Sequence, residues 1–355
     1  MGTESVIRLT LVNDPYHIGS RLGLALIIDS PNLPQVIHGP TSIFSPAGTP
    51  AHSIFSLSML VLGVTLCVFL IVASLLTYAL FRFRESRYKD SPNQEPPQIY
   101  GSNQIELSWT VIPILIVVML FLASARVIFS TEDAQKPPNA LDVVVVGHQF
   151  WWEYRYPKYG IVTANELHVP VSDPNHPKPT FLTLTSADTD HSFWVPRLAG
   201  KTDLIPDRVN SMWIDPPTAG LYLGQCAQYC GVQHAKMLIR VYADTPDQFA
   251  KWVESQQKTA VEDVKVVKGR EIFEHNACIS CHTVSGTVAT GTFGPNLTHL
   301  ASRDTIGSGS IPNNAENLRA FIDNPDHFKP GVLMPSMHLS NNDLDAVTAY
   351  LMTLK

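Results

Sequence analysis

Two thiols, an imidazole and a thioether fall within twelve residues of this chain, in Cys226-Ala-Gln-Tyr-Cys230-Gly-Val-Gln-His234-Ala-Lys-Met237. Soft sulfur donors favour copper, and a blue site of one copper uses a single cysteine with two histidines and a weak methionine. A second cysteine implies more metal, with a pair of thiolates able to bridge two coppers. The second imidazole must then come from elsewhere. His191, in His191-Ser-Phe-Trp-Val-Pro196, follows a predicted strand and could face the cysteine loop. Two plainer readings compete. A Cys226–Cys230 disulfide is permitted in an exported domain, but it leaves His234 and Met237 without a role. A zinc site draws on cysteine and histidine alone. Ligand softness and spacing favour copper.

A second constellation, Cys278-Ile-Ser-Cys281-His282, has the spacing for covalent attachment of a c-type haem, with the histidine as axial iron ligand. Alone, the pattern could equally be a zinc knuckle or chance. Downstream, Lys329-Pro-Gly-Val-Leu-Met334-Pro335 offers a thioether for the opposite axial position, and a His/Met pair raises the haem potential into a range suited to electron transfer. Met337 competes for that position; the Met334-Pro335 pairing is preferred.

The elements that must position these groups divide the 355 residues into several units, as the length leads one to expect. Ser53 to Phe81 gives 29 residues without a charge, more than the roughly 20 that cross a hydrocarbon core of about 30 Å. A second uncharged stretch runs from Leu107 to Ala125, and its Pro113 is tolerable in a membrane helix. The connector carries Arg82, Arg84, Arg87 and Lys89. The positive-inside rule therefore places it in the cytoplasm and everything after Arg126 outside. Met59 and Cys67 within the first span read as packing or lipid-facing side chains. Residues 1–50 form an unassigned extension, in which the apolar piece Leu22 to Ile28 is too short for a convincing signal peptide. Beyond the joint Thr131 to Asn139, short strands at Leu141 to Val146, Phe150 to Tyr156 and Thr180 to Thr185 predict a sandwich. Helical patterning over Pro246 to Gln257 leads into a final helical unit from about Val266, where Ser340 opens a helix with Leu344, Val347 and Leu351 on one face. The net charge of −6 and the absence of a basic run exclude nucleic acid as a partner.

Over Ser45 to Ala243 the sequence resembles subunit II of the haem-copper cytochrome c oxidases. The residues that carry this are Glu106-Leu-Ser-Trp109-Thr-Val-Ile-Pro113, Gly147-His-Gln-Phe-Trp-Trp-Glu-Tyr, His191-Ser-Phe-Trp-Val-Pro196, Lys201-Thr-Asp203 and the cysteine loop. The resemblance implies a cupredoxin sandwich with a binuclear copper centre, CuA, held by His191, Cys226, Gln228, Cys230, His234 and Met237. Gln228 would contribute its backbone carbonyl. The family usually has glutamate there, whose carboxylate helps hold magnesium against subunit I, so the change puts magnesium in question. Phe150 stands where the family usually has a tryptophan that receives electrons from external cytochrome c, which changes the expected point of electron uptake. The resemblance also places Glu106 near the mouth of a proton-uptake channel in subunit I and Asp203 at the subunit interface. His148, His168 and His176 read as polar or structural.

Residues 266–355 are similar to class I cytochromes c, with Gly294-Pro-Asn-Leu297 between haem attachment and methionine loop. That family implies that the closing helix and the helix containing Gly269 pack across one another, with Phe273 and Tyr350 as core candidates. The expected organisation is thus an extension (1–50), a two-helix transmembrane hairpin (51–130), an all-β cupredoxin domain (139–245), a linker (246–265) and an all-α cytochrome c domain (266–355). This order resembles oxidase subunits with a fused electron donor, as in caa-type enzymes. Electrons would pass from cytochrome c or another external carrier to haem c, to CuA and on to the haem of subunit I, with the exported domains on the periplasmic side of a bacterial plasma membrane. A short flexible linker would keep donor and acceptor at about millimolar local concentration. A nitric oxide reductase partner is the alternative; nitrous oxide reductase would need a further copper domain, and a quinol-oxidase subunit would lack the copper ligands.

Overall fold

The computed structural model describes residues 7–12, 23–28, 41–84, 100–132, 136, 140–173, 177–260 and 263–355; Leu22, Arg87, Lys89, Asn139 and His176 lie outside the described residues. The chain forms two compact units, Met1–His38 and Gly39–Lys355. In the first, β1 (Ile7–Val12) and β2 (Gly23–Ile28) pair antiparallel.

The second unit begins with two long helices, α1 (Thr49–Arg82) and α2 (Asn103–Glu132). At 34 and 30 residues they exceed the membrane requirement, and their apolar side chains are exposed all round, Phe69, Leu75, Leu107 and Phe121 among them. A helix apolar on every face belongs in hydrocarbon, and these two make the chain a membrane protein. Pro113 sits inside α2 without ending it. Both helices are tied to the next domain, α1 at its N-terminal end and α2 at its C-terminal end. Ala47 and Gly48 donate to the Arg197 carbonyl, Ala51 donates to that of Leu198, and Trp213 Nε1 donates to Thr131 O at 2.9 Å.

Ten strands follow: β3 (Leu141–His148), β4 (Trp151–Tyr156), β5 (Ile161–Ala164), β6 (Glu166–Pro170), β7 (Thr180–Ser186), β8 (His191–Trp194), β9 (Thr202–Leu204), β10 (Asn210–Ile214), β11 (Gly220–Cys226) and β12 (Leu238–Asp244). They make two five-stranded sheets, ordered β10-β7-β3-β4-β5 and β6-β12-β11-β8-β9. Alternation sets the faces: in β7, Leu182 and Leu184 point inward while Thr183 and Thr185 stay half-exposed. Trp152, Tyr154, Tyr156 and Phe193 fill the core between the sheets. The predicted helix beyond the sandwich is α3 (Pro246–Gln256), started by a Thr245–Gln248 capping box with proline in its first turn. It is not a free spacer, because Phe249 and Val253 are buried in the sandwich core and Trp252 stacks on His168.

The final domain contains α4 (Val267–His275), α5 (Cys278–Cys281), a small β13 (Thr305–Ile306) and β14 (Ile311–Pro312) ladder, α6 (Ala315–Asp323), α7 (Pro325–Phe328) and α8 (Asn341–Leu351). Ser340 caps α8 by accepting from Asp343 N, and Leu344, Val347 and Leu351 are buried. Helices α4 and α8 cross at Gly269, where an added Cβ would come within 2.0 Å of the Ala346 carbonyl oxygen. Only glycine permits that approach. Phe273 and Tyr350 pack beside it with ring centroids 5.8 Å apart.

Candidate metal and haem sites

The sulfur and imidazole donors singled out in the sequence converge at one end of the sandwich. Strand β8 starts with His191, β11 ends with Cys226, and the loop between β11 and β12 holds Cys230, His234 and Met237. Backbone bonds clamp that loop: Cys226 N donates to Met237 O at 2.9 Å and Ala227 N to Ser192 O at 3.0 Å. Cys226 Sγ lies 3.9 Å from both Cys230 Sγ and His191 Nδ1, while Cys230 Sγ lies 3.9 Å from His234 Nδ1 and Met237 Sδ. The Gln228 carbonyl oxygen is 3.2 Å from Cys226 Sγ. Both cysteines are free and buried. Their sulfurs stand well beyond the disulfide bond length of about 2.05 Å, yet near enough to share metal. Two thiols, two imidazoles and a thioether facing one another fit copper better than zinc.

Side chains behind these donors orient them. Asp188 Oδ1 accepts from His191 Nε2 at 2.9 Å, which leaves Nδ1 as the ligating nitrogen. The other Asp188 oxygen accepts from Gln149 N at 2.6 Å, and Gln149 Nε2 donates to the Cys230 carbonyl at 2.6 Å. Burial disfavours the His191 imidazolium, but the bonds to Asp188 and Cys226 outweigh it and raise the pKa. Between the thiols, hydrogen bonding from Cys230 pulls Cys226 down despite burial, and the resulting thiolate pushes Cys230 up.

Cys278, Cys281 and His282 line an apolar cavity in the final domain, and Met334 and Met337 both reach it. His282 Nδ1 donates to Pro295 O at 2.7 Å. That bond fixes the neutral tautomer with its lone pair on Nε2, the form an iron requires. Burial lowers the His282 pKa and favours the same state. Gly294 gives the ring its space, since a Cβ there would fall 2.6 Å from His282 Cε1. A pair of thiols, a preset imidazole and thioethers around an apolar cavity fit haem c. Met334 packs against the domain core.

The cavity wall is not built by the cytochrome domain alone: Gln149, Phe150, Trp151 and Asn165 of the sandwich contribute to it. Phe150, which stands where the resembled family usually has a tryptophan that receives external electrons, is only 6% exposed. The two domains meet in a hydrogen-bonded seam, which corrects the expectation of a loose tether. Glu166, 4% exposed, accepts from Asp304 N at 3.2 Å and from Thr305 N and Oγ1 at 3.0 and 2.9 Å. Tyr242 OH donates to Asp304 Oδ2 at 2.6 Å, and Leu238 N donates to Ser308 O at 3.1 Å.

Other sequence candidates stay outside these sites. His148 stacks on Trp151 beside Glu153, and His168 bonds Asp244 at 2.8 Å between the rings of Tyr242 and Trp252. Asp203 lies in β9, paired with Ser192 of β8. Glu106 occupies the first turn of α2, and Met59 and Cys67 are exposed on α1. The sequence reading missed Asp188, Gln149 and Glu166. An Asp-x-x-His spacing was available for Asp188; no local signal marked the other two.

Comparison with known proteins agrees with this arrangement. The cytochrome c oxidase subunit II transmembrane domain matches residues 40–127, the periplasmic domain of that subunit matches 141–243, and cytochrome c matches 266–355. Cytochrome c oxidase subunit 2 of Alkalihalophilus pseudofirmus is 34% identical over 293 residues, covering 80% of this chain and 83% of that protein. The same subunit of a Bacillus species is 34% identical over 334 residues, covering 88% and 91%. That of Bacillus subtilis is 31% identical, covering 88% and 92%. The chain belongs to the cytochrome c oxidase subunit II family and carries a fused C-terminal cytochrome c domain.

Proposed function

We propose that this chain is the electron-accepting subunit of a terminal oxidase, receiving electrons on its cytochrome domain and delivering them through its cupredoxin domain to subunit I, where oxygen is reduced to water with proton translocation. Haem c and binuclear copper, when bound, supply one-electron redox chemistry to the two domains. Cys278 and Cys281 would hold the haem covalently, and His282 and Met334 would supply the side chains that ligate its iron. His191, Cys226, Cys230, His234 and Met237, with the Gln228 carbonyl, would hold two coppers. Asp188 orients His191, and Gln149 fixes the Cys230 backbone.

The observation that carries the route is the shared wall. Phe150 is buried beneath the cytochrome domain and lines its cavity, while the adjacent Gln149 bonds the backbone of a copper-ligand cysteine. An external carrier has no access to Phe150, and the chain's own cytochrome domain occupies that ground. The hairpin anchors both domains, with its basic connector in the cytoplasm and the domains outside. Glu106, beside that connector, is assigned to the mouth of a proton-uptake channel in subunit I. The test is rapid mixing of the copper- and haem-loaded oxidase with a reduced external cytochrome c. The haem c absorbance should change before that of copper; copper reduction ahead of haem c overturns the route.

A further inference from the structure

The segment that leads to Met334 is stitched to the sandwich at three consecutive residues, two of them to the loop of Cys230, His234 and Met237. Lys236 Nζ donates to the Phe328 carbonyl at 2.7 Å, Lys329 Nζ to the Phe150 carbonyl at 3.0 Å, and Gln233 Nε2 to the Pro330 carbonyl at 2.5 Å. Gln233 and Lys236 flank His234, so the loop that carries the copper donors also forms the socket for the methionine segment.

Lys329 is the central stitch, and its burial is unusual. The side chain is 2% exposed, and Nζ also donates to the Gly307 carbonyl at 3.2 Å. Lysine is almost never fully buried without partners, and desolvation brings its pKa down to about 7, with the Lys236 charge adding to the effect. Its two acceptors lie on opposite sides of the seam, Phe150 in the sandwich and Gly307 in the cytochrome domain.

We propose that Lys329 is a positioning residue that locks the cytochrome domain onto the sandwich in one register, so that the spacing between the haem and copper sites is fixed by the fold. The inference rests on the electron route proposed above. Lys329 transfers no electron and touches no proposed copper donor; it acts by holding Phe150 and the methionine segment together.

The experiment uses the full, loaded oxidase and Lys329→Met, which keeps the length of the side chain without its donors. Hydrogen exchange is read at the amides of Leu238 and Thr305, whose partners Ser308 and Glu166 lie across the seam. Exchange there should rise about tenfold, equivalent to about 1.4 kcal/mol. Equilibration between haem c and copper after flash reduction of the haem should slow, while the haem potential and its reduction by an external donor stay unchanged. Unaltered exchange and equilibration overturn the proposal, as does a shifted haem potential with unaltered exchange, which would confine Lys329 to the haem site. Should Lys329→Met fail to load haem, the exposed Lys236→Met decides. It should raise seam exchange about threefold, the effect of a solvent-facing hydrogen bond, and no rise overturns the proposal. Failure of the electron route would differ: the unaltered oxidase would then show no transfer from haem to copper.

Discussion

Glu166 offers the sharpest test of the seam because its removal and its neutralisation should act differently. Glu166→Ala leaves three donors facing the vacated space, Asp304 N, Thr305 N and Thr305 Oγ1. An unsatisfied buried donor costs about 1–3 kcal/mol, and the sum is offset because a desolvated carboxylate is also removed. A net weakening of about 3 kcal/mol follows, or a roughly hundredfold rise in the population with the seam open. Glu166→Gln retains an oxygen for the two bonds from Thr305 and loses the bond from Asp304 N, about 1 kcal/mol, against relief of the buried charge. It should sit close to the unaltered protein.

The pH dependence supplies the sign. Burial raises the Glu166 pKa, and the Asp304 carboxylate adds to this against the Thr305 hydrogen bond and Arg303. The closed seam therefore holds the proton to higher pH than the open one. The associated stabilisation is complete below the ordinary carboxylate value of about 4.3, and it is lost as pH rises through the raised value in the closed state. Hydrogen exchange at Thr305 and Leu238, corrected for intrinsic rates, should show protection falling across that window in the unaltered protein and flat in Glu166→Gln. Equal protection in Glu166→Ala and the unaltered protein would refute the reasoning. So would a glutamine variant as open as the alanine variant at every pH.

Two further outcomes concern the ligand sets. Asp188→Asn should weaken copper retention about 10- to 100-fold in competition with a chelator, the usual effect of losing the partner that orients a ligating histidine, and should leave the covalent haem intact. Met334→Ala should lower the haem c reduction potential and open the iron to added ligands, whereas Met337→Ala should do neither; the reverse pattern assigns the axial position to Met337.

Periodicity and ligand chemistry made much of this molecule legible. The uncharged runs marked both membrane helices, the leucines alternating with threonines marked β7, and the Ser340 cap with Leu344, Val347 and Leu351 marked α8. The convergence of sulfur and imidazole groups was legible because Cys226, Cys230, His234 and Met237 lie within twelve residues; His191, 35 residues before Cys226, needed only a predicted strand end beside it. What escaped has a different physical origin. Glu166 looks like an ordinary strand-end carboxylate and Lys329 like an ordinary loop lysine, yet both are buried and hydrogen-bonded across the seam between the domains. Sequence patterns within either domain register its own core, not the surface the other will cover. The residue type of Phe150 was legible as a departure at the point of electron uptake, but its place in the wall of the apolar cavity was not.

The seam also divides the surface around the copper loop. Gln233 and Lys236, on either side of His234, are engaged by the methionine segment, whereas Tyr229, between Gln228 and Cys230, remains 73% exposed. The face turned to the cytochrome domain is thus committed within the chain, and the Tyr229 face is the part of the loop left for subunit I in the proposed assembly. In the proposed route a donor from outside meets the cytochrome domain instead, where Phe293 and Leu333 line the apolar cavity and are 62% and 51% exposed. On that route, recognition of the external carrier and delivery to subunit I fall on surfaces of different domains, and a substitution at Phe293 should alter the first without moving a proposed copper donor.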